Sequence, residues 1–296
     1  MQGIIKKLSP YIKDDKLYLS LRYRASFRKS INWNRPQTFA EKIQWLKLNN
    51  RKPEYIIMAD KVKAKDWVAE RIGQEYIIPT LGVWKYVEDI DFESLPSRFV
   101  IKCNHNSGTG MYICKDKSKM DIEKVRAGLK KGLKENYFLI GREWPYKDIP
   151  RRIIAEQFME DKDHPGDLSD YKFFCFDGEP YFCQVIRDRS TNETIDLYDM
   201  NWELLPYVGL NSAVHILHNG LTPVMRPKNF DKMKDICRTL SKDMPFGRID
   251  LYVINNKIYF GEITFFPMSG FGTFTPSEWN KRIGDKININ YNKCQN

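Results

Sequence analysis

The chain has 296 residues, 42% of them hydrophobic and 14% aromatic, which excludes a disordered or fibrous polypeptide and suffices for two closely packed domains. No run approaches the roughly 18 apolar residues of a membrane span, and Met1-Gln2-Gly3-Ile4-Ile5-Lys6-Lys7 lacks the apolar region of a signal peptide, so a cytoplasmic protein is expected. The net charge of +10 suits a polyanion, yet nucleic acid, anionic lipid, nucleotide and acidic polysaccharide all satisfy it.

The first elements read as helices. Arg22-Tyr23-Arg24 through Arg28-Lys29 is either a solvated helical face or a surface for an anionic acceptor or membrane. Pro36-Gln37-Thr38-Phe39-Ala40-Glu41-Lys42 contains a capping box, Thr38 with Glu41, and Phe39, Ile43, Trp45 and Leu46 supply its apolar face. A second helix is predicted over 61–72, with Ala64, Trp67, Val68 and Ile72 as its stripe and Gly73 closing it. The pattern then changes to a buried strand over 99–103, a hairpin partner over 112–114 and a helix over 121–133. Between the two strands lies Lys102-Cys103-Asn104-His105-Asn106-Ser107-Gly108-Thr109-Gly110. Glycines let backbone amides approach and cradle a phosphate, which Lys102 can reach. The lysine precedes the glycines, so this is neither a Walker A loop nor a Rossmann fingerprint. A plain tight turn explains it as well.

A strand follows over 152–158, then a pair over 171–176 and 180–187 joined by Asp177-Gly178-Glu179, and a helix over 229–240. The last pair, Arg248-Ile249-Asp250-Leu251-Tyr252-Val253-Ile254 and Lys257-Ile258-Tyr259-Phe260-Gly261-Glu262-Ile263-Thr264-Phe265, reads as a hairpin turning at Asn255-Asn256. A two-residue turn would pair Asp250 with Gly261; a three-residue loop over 255–257 pairs Asp250 with Glu262 and Arg248 with Thr264. We read the three-residue register. Facing carboxylates repel, so it calls for a cation between them, and oxygen donors of this kind suit Mg²⁺ held with substrate phosphates. The alternative is an edge hairpin with two solvated acids. Helices and mostly antiparallel strands in separate stretches indicate an α+β fold. With no repeat or linker visible, its domains pack together. Cys103, Cys114, Cys175, Cys183, Cys237 and Cys294 lack metal-ligand spacing, and several fall in apolar runs, as reduced thiols acting as small hydrophobes do.

The order of Asp60-Lys61 opening a helix, strand-Lys102-glycine loop, Ile154-Ala155-Glu156-Gln157-Phe158-Met159, Arg248-x-Asp250 and Glu262-x-Thr264 resembles the ATP-grasp fold. Within it, Thr38-Phe39-x-Glu41-Lys42-Ile43-x-Trp45, Phe99-Val100-Ile101-Lys102-Cys103-Asn104-His105, Asp170-Tyr171-Lys172-Phe173 and Phe260-Gly261-Glu262-Ile263-Thr264-Phe265 resemble the TupA-like ATP-grasp family. The likeness runs from about Thr38 to Gly284. It implies two α+β subdomains enclosing ATP, over 59–150 with a glycine-rich lid and over 151–296 with a Mg-binding hairpin. A helical region over 1–58 then stands in place of a full preceding domain.

The same resemblance implies roles. Lys61 and Lys102 hold the nucleotide phosphates under a lid containing Ser107, Gly108 and Gly110; Glu156, Gln157, Phe158 and Met159 form the hinge that reads adenine and ribose; Lys172 lies near the phosphates. Asp250 and Glu262 are the Mg²⁺ carboxylates, and Arg248, with Lys102, stabilises charge in the transferring group. Thr264 stands where many ATP-grasp enzymes have a metal-binding asparagine. Family members occur among polysaccharide and teichuronopeptide biosynthesis proteins. The implied activity is ATP-dependent amide formation on a sugar acid, with an anionic acceptor, an amine donor and membrane proximity where the acceptor is lipid-linked. Such catalysis rests on positioning and charge neutralisation, and no convincing nucleophilic triad is visible.

Weaker candidates remain. His105 is either a ligand contact or a structural hydrogen bond; Arg187, Asp188 and Arg189 are either an acceptor-binding cluster or solvated charge. His215 and His218 have metal-like spacing without a third ligand, and Phe271, Phe274 and Trp279 are more often packing than a sugar platform. Two other classes stay open: a glycosyltransferase, whose metal typically sits on an Asp-x-Asp motif rather than a hairpin, and a non-catalytic polyanion binder. Nucleic acid is not expected, because a binder of that kind gains nothing from Asp250 beside Glu262.

Overall fold

The computed structural model describes residues 2–162, 168–187, 193–211 and 218–289. The N-terminal helices are α1 (Gln2–Leu8), α2 (Asp15–Phe27), α3 (Phe39–Asn49), α4 (Glu54–Ala59) and α5 (Lys63–Ile72). Asp14 caps α2 by accepting the Leu17 amide, and the expected Thr38–Glu41 capping box starts α3. The helix expected from residue 61 begins two residues later, because buried Asp60 accepts the Val62 amide and breaks the chain between α4 and α5. Gly73, at φ 113°, closes α5.

Two antiparallel sheets follow. β1 (Thr80–Trp84), β2 (Phe99–Cys103) and β3 (Met111–Cys114) precede α6 (Ile122–Lys134) and α7 (Phe138–Gly141), and β4 (Ile153–Gln157) then inserts to give the order β1-β4-β2-β3. β4 therefore completes the first sheet although it follows the boundary expected at 150/151. Alternation along β2 sends Phe99, Ile101 and Cys103 into a small core with Val125 and Leu129 of α6, leaving Val100 and Lys102 on the opposite face. The second sheet has the order β10-β9-β5-β6-β7. It comprises β5 (Asp170–Phe176), β6 (Glu179–Arg187) and β7 (Thr194–Asp199), and, after β8 (Val208–Asn211) and α8 (Phe230–Ser241), β9 (Phe246–Ile254) and β10 (Lys257–Thr264). β11 (Thr273–Thr275) pairs with β8, and α9 (Trp279–Asp285) ends the described chain.

The larger core lies against the second sheet. Phe230, Met233, Ile236, Cys237 and Leu240 of α8 are buried on it, with Phe230 stacked 5.8 Å from Phe173. α3 packs on α9 and on residues 267–270, tying the N-terminal helices to the chain end. Cys103, Cys114, Cys175, Cys183 and Cys237 are buried free thiols; Cys294 lies outside the described residues. Among the described residues no helix is long and apolar enough to cross a membrane.

The hairpin departs from expectation in an instructive way. Asp250 faces Glu262 and Arg248 faces Thr264, but the turn has two residues, since Ile254 pairs with Lys257. Asn255 and Asn256 both take positive φ, 51° and 60°, as tight hairpin turns require. The register is corrected instead by a bulge between Phe260 and Glu262. Gly261 permits it: a Cβ there would stand 3.0 Å from the Asp250 carbonyl oxygen and 3.0 Å from the Tyr252 ring.

Candidate active site

A cavity of about 370 Å³ opens between the two sheets. Asp60 organises one wall. Its carboxylate accepts from Asn104 Nδ2 at 2.7 Å and Arg152 Nη2 at 2.8 Å, which sets Lys61 beside the glycine loop, where its Nζ donates to the Asn106 carbonyl at 2.7 Å. Lys102 on β2 and Glu156 on β4 share the cavity face and form a close ion pair, while Lys65, one turn after Lys61, meets the other Glu156 oxygen at 2.6 Å. Met58, Ala59, Ala64, Ile77 and Ile78 supply an apolar end, and Ser107 and Gly108 reach the rim.

The second sheet supplies the opposite wall. Lys172 on β5 lies across from Asp250 on β9 and bonds it directly, with Asp170 at 2.8 Å on its other side. Arg248 grips Asp250 through Nε and Nη2, both at 2.7 Å, and reaches Glu262 at 3.2 Å and Thr264 Oγ1 at 3.0 Å. The cation that the facing carboxylates call for is thus present within the protein, as the Arg248 guanidinium. Desolvation works against charge on Glu262, but Lys61, Arg248, Lys172 and Lys102 overcome it and hold its pKa down to about 2. Burial pushes Asp250 up, against the pull of Arg248 and Lys172. Desolvation likewise opposes ionisation of Glu156, yet Lys102 and Lys65 lower its pKa; burial lowers those of Lys61 and Lys65 despite the nearby acids.

A second chamber, about 760 Å³, adjoins the first: Ser107, Tyr146 and Glu262 line both. Arg248 and Thr264 face this chamber from the hairpin, Tyr137, Ile140 and Glu143 from the segment after α6, and Arg22 and Phe27 from α2. Burial raises the pKa of Tyr137 and Tyr146, keeping both phenols protonated.

The sequence matches the family model for TupA-like ATPgrasp over residues 41–288. The chain belongs to the TupA-like ATP-grasp family. No curated protein sequence matches it. Among solved structures it is similar to the D-alanine–D-alanine ligase of Bacillus anthracis complexed with ATP, at 16% identity and TM-score 0.40, covering 70% of this chain and 53% of that one. The D-alanine–D-alanine ligase of Helicobacter pylori matches at 12% identity and TM-score 0.44, covering 84% and 69%. The ATP-grasp ligase PsnB, complexed with minimal precursor, Mg and ADP, matches at 11% identity and TM-score 0.41, covering 76% and 57%. The chain thus spans between about half and two thirds of the length of these solved ligases.

Within this ATP-grasp chain, Lys61, Lys102, Ser107, Gly108, Glu156, Lys172, Asp250 and Glu262 converge on the first cavity, and Arg248 and Thr264 stand at its junction with the second. Gly110 instead packs between β2 and α6, where a Cβ would come 2.8 Å from Cys103 Sγ and 2.9 Å from Gly132 Cα. Gln157, Phe158 and Met159 do not line the cavity; the Gln157 amide bonds the Pro79 carbonyl, and Phe158 lies under Arg98. The Glu156 carboxylate is committed to two lysines rather than held open for a ribose. His105 and Arg187, expected as substrate contacts, line neither of these two cavities. His105 is 2% exposed and bonds the Glu135 carbonyl. Arg187 shares the opposite sheet face with Tyr171 and bonds Asp196. Arg189 and His215 lie outside the described residues. Asp-x-Asp triplets do occur, at Asp89-Ile90-Asp91 and Asp161-Lys162-Asp163. Asp91 is spent on the Glu93 and Ser94 amides, and neither described part lines the cavities.

The sequence assigns no role to Lys65, to Asp170, which enters only within the motif Asp170-Tyr171-Lys172-Phe173, or to Tyr146. Helical spacing from Lys61 and strand spacing from Lys172 point to the first two; nothing local marks Tyr146. For a metal, the donor set is two carboxylates and a hydroxyl, and no cluster of three His, Cys, Asp or Glu ligands exists among the described residues. Mg²⁺ takes one or two carboxylates and leaves its other positions to phosphate and water; the half-exposed Glu262 is open to it, whereas both Asp250 oxygens are held by Arg248 and Lys172, which Mg²⁺ would have to displace.

Proposed function

We propose that the protein is an ATP-dependent carboxylate–amine ligase, using Mg²⁺ and acting in the cytoplasm on a sugar acid of a bacterial surface polysaccharide. The observation that carries this reading is the meeting of a lysine-rich cavity with a larger polar chamber at Glu262, Ser107 and Tyr146. Lys61, Lys102 and Lys172 offer charge to a triphosphate, the Ser107–Gly108 rim covers it, and the apolar end near Ile77 receives adenine. The two sheets act as the two subdomains that close on ATP. Asp250 and Glu262 would hold Mg²⁺, whose contribution there would be to neutralise phosphate charge. Arg248, fixed by Asp250, directs its guanidinium to the junction, where charge develops during transfer. There the acceptor carboxylate oxygen attacks the γ-phosphorus, giving an acyl phosphate and ADP. The amine nitrogen then attacks the acyl carbon, releases inorganic phosphate and loses a proton.

The test is ADP release with uronic acids and hydroxylamine as a generic amine, which traps the acyl phosphate as a hydroxamate. Asp250→Asn and Glu262→Gln should each lower turnover on the order of 10²-fold. Mg²⁺-independent turnover, or full activity in both variants, would sink the metal assignment. Stabilisation by nucleotide sugars or by polyanions without Mg²⁺, in place of ATP, would favour the glycosyltransferase or binding reading.

A further inference from the structure

The second chamber holds a charge that the proposed chemistry leaves unused. Arg22 is 6% exposed and lines the chamber from α2, far in sequence from the hairpin. Its guanidinium stacks 4.1 Å over the Phe271 ring and donates through Nη1 to the Ile140 carbonyl, while Nε is buried without a hydrogen-bond partner. Among the described residues no carboxylate forms a salt bridge with it. The nearest acid electrostatically is Glu143, which is already served by Ser269 Oγ and by the charge of Lys47. Lys47 is itself fully buried, held by Gln44 at 3.0 Å and by the carbonyls of Gly141 at 2.7 Å and Ser269 at 2.8 Å. Burial lowers the pKa of Lys47 to about 7 and raises that of Glu143, so this pair can shed its charges, whereas the Arg22 guanidinium keeps its charge against the chamber with no ion-paired carboxylate among the described residues. Lys6, exposed on α1, adds a further cation at the chamber rim.

Arg248 already stands at the junction where a reacting carboxylate would be phosphorylated. A second fixed guanidinium across the same chamber has no use for an acid with one charge. Resting on the ligase reading, we infer that the acceptor carries a second anionic group besides its reacting carboxylate, and that Arg22 binds it, with Lys6 guarding the entrance. Either a carboxylate or a phosphate suits a planar guanidinium. The N-terminal helices then serve as the acceptor-selecting wall of the site.

The test compares glucuronic acid, with one carboxylate, against glucuronic acid 1-phosphate and digalacturonate in the hydroxylamine assay, with equilibrium titration of the same acids into protein saturated with Mg·AMP-PNP. The expected result is a KM or Kd at least about tenfold lower for one of the two-anion acids. The phosphate and dicarboxylate arms tell which second group is recognised. Arg22→Met should collapse that ratio toward one, Arg22→Lys should retain part of it, and Lys6→Ala, at an exposed position, should reduce it without threatening the fold. A wild-type protein that does not discriminate, in turnover or in binding, overturns the inference. So does a ratio that survives both Arg22→Lys and Lys6→Ala. Acid-dependent ADP release that ignores the second charge sinks this inference alone, whereas absence of any response to Mg·ATP sinks the ligase reading beneath it.

Discussion

Glu262 faces Asp250 across the hairpin, accepts from Arg248 and Thr264, and keeps a side chain that is 42% exposed at the junction of two cavities. Cations from both sheets favour its charged form, so its folded pKa of about 2 lies below the ordinary value of 4.5. A carboxylate with a depressed folded pKa contributes its stabilisation above the unfolded value and loses it as pH falls through the folded one. The difference in melting temperature between wild type and Glu262→Gln should therefore be level above about pH 5.5 and shrink steadily between 4.5 and about 2. Thermal melts across that range check the sign. A difference that stays level down to pH 2.5 would mean that the charge of Glu262 is not what the surrounding lysines and arginine respond to.

At the scale of the element, the hairpin places its acids by two local devices. The left-handed pair Asn255-Asn256 makes the turn, and the bulge at Gly261 moves Glu262 and Thr264 onto the face of Asp250 and Arg248. Asn256→Ala should cost about 1 kcal/mol, because alanine resists positive φ, whereas Asn256→Gly should not. Urea titration reads this as a lower midpoint at constant slope. The capping box of α3 gives a parallel case: Thr38→Ala should cost roughly 1 kcal/mol. That loss bears on the site, since Gln44 and Lys47 of α3 hold the backbone of Ser269, which lines the second chamber. The long elements and the facing carboxylates were legible because alternation, capping and turn residues are local signals. The bulge leaves only one local mark in the sequence, the glycine inside the strand, Gly261. The strand over Thr80–Trp84 is hard to read from sequence because it is short and largely exposed, with its apolar Leu81 and Val83 on the exposed side. The second chamber had no local signature at all, being assembled from α2, residues 137–146 and residues 264–273, which only tertiary packing brings together.

For the molecule as a whole, the cavity belongs to neither sheet alone. Lys102 and Glu156 come from the first, Lys172, Asp250 and Glu262 from the second, and Lys61 and Lys65 from the helical segment beside them. A ligand that touches all three binds the folded arrangement and not the unfolded chain, so it stabilises the protein by mass action. At 100 times its Kd the gain is about 2.7 kcal/mol. ATP with Mg²⁺ should raise the melting temperature accordingly, and chelation by EDTA should remove most of the shift. Lys102→Met separates binding from folding. Lys65 remains as a partner for Glu156 at 2.6 Å, so the ligand-free melting temperature should move little, while the ATP-dependent shift should fall because a phosphate-facing charge is gone. If Lys102→Met lowered the ligand-free melting temperature and left the ATP-dependent shift intact, Lys102 would be a structural partner of Glu156 rather than a phosphate ligand. The nucleotide would then have to be held by Lys61 and Lys172 alone.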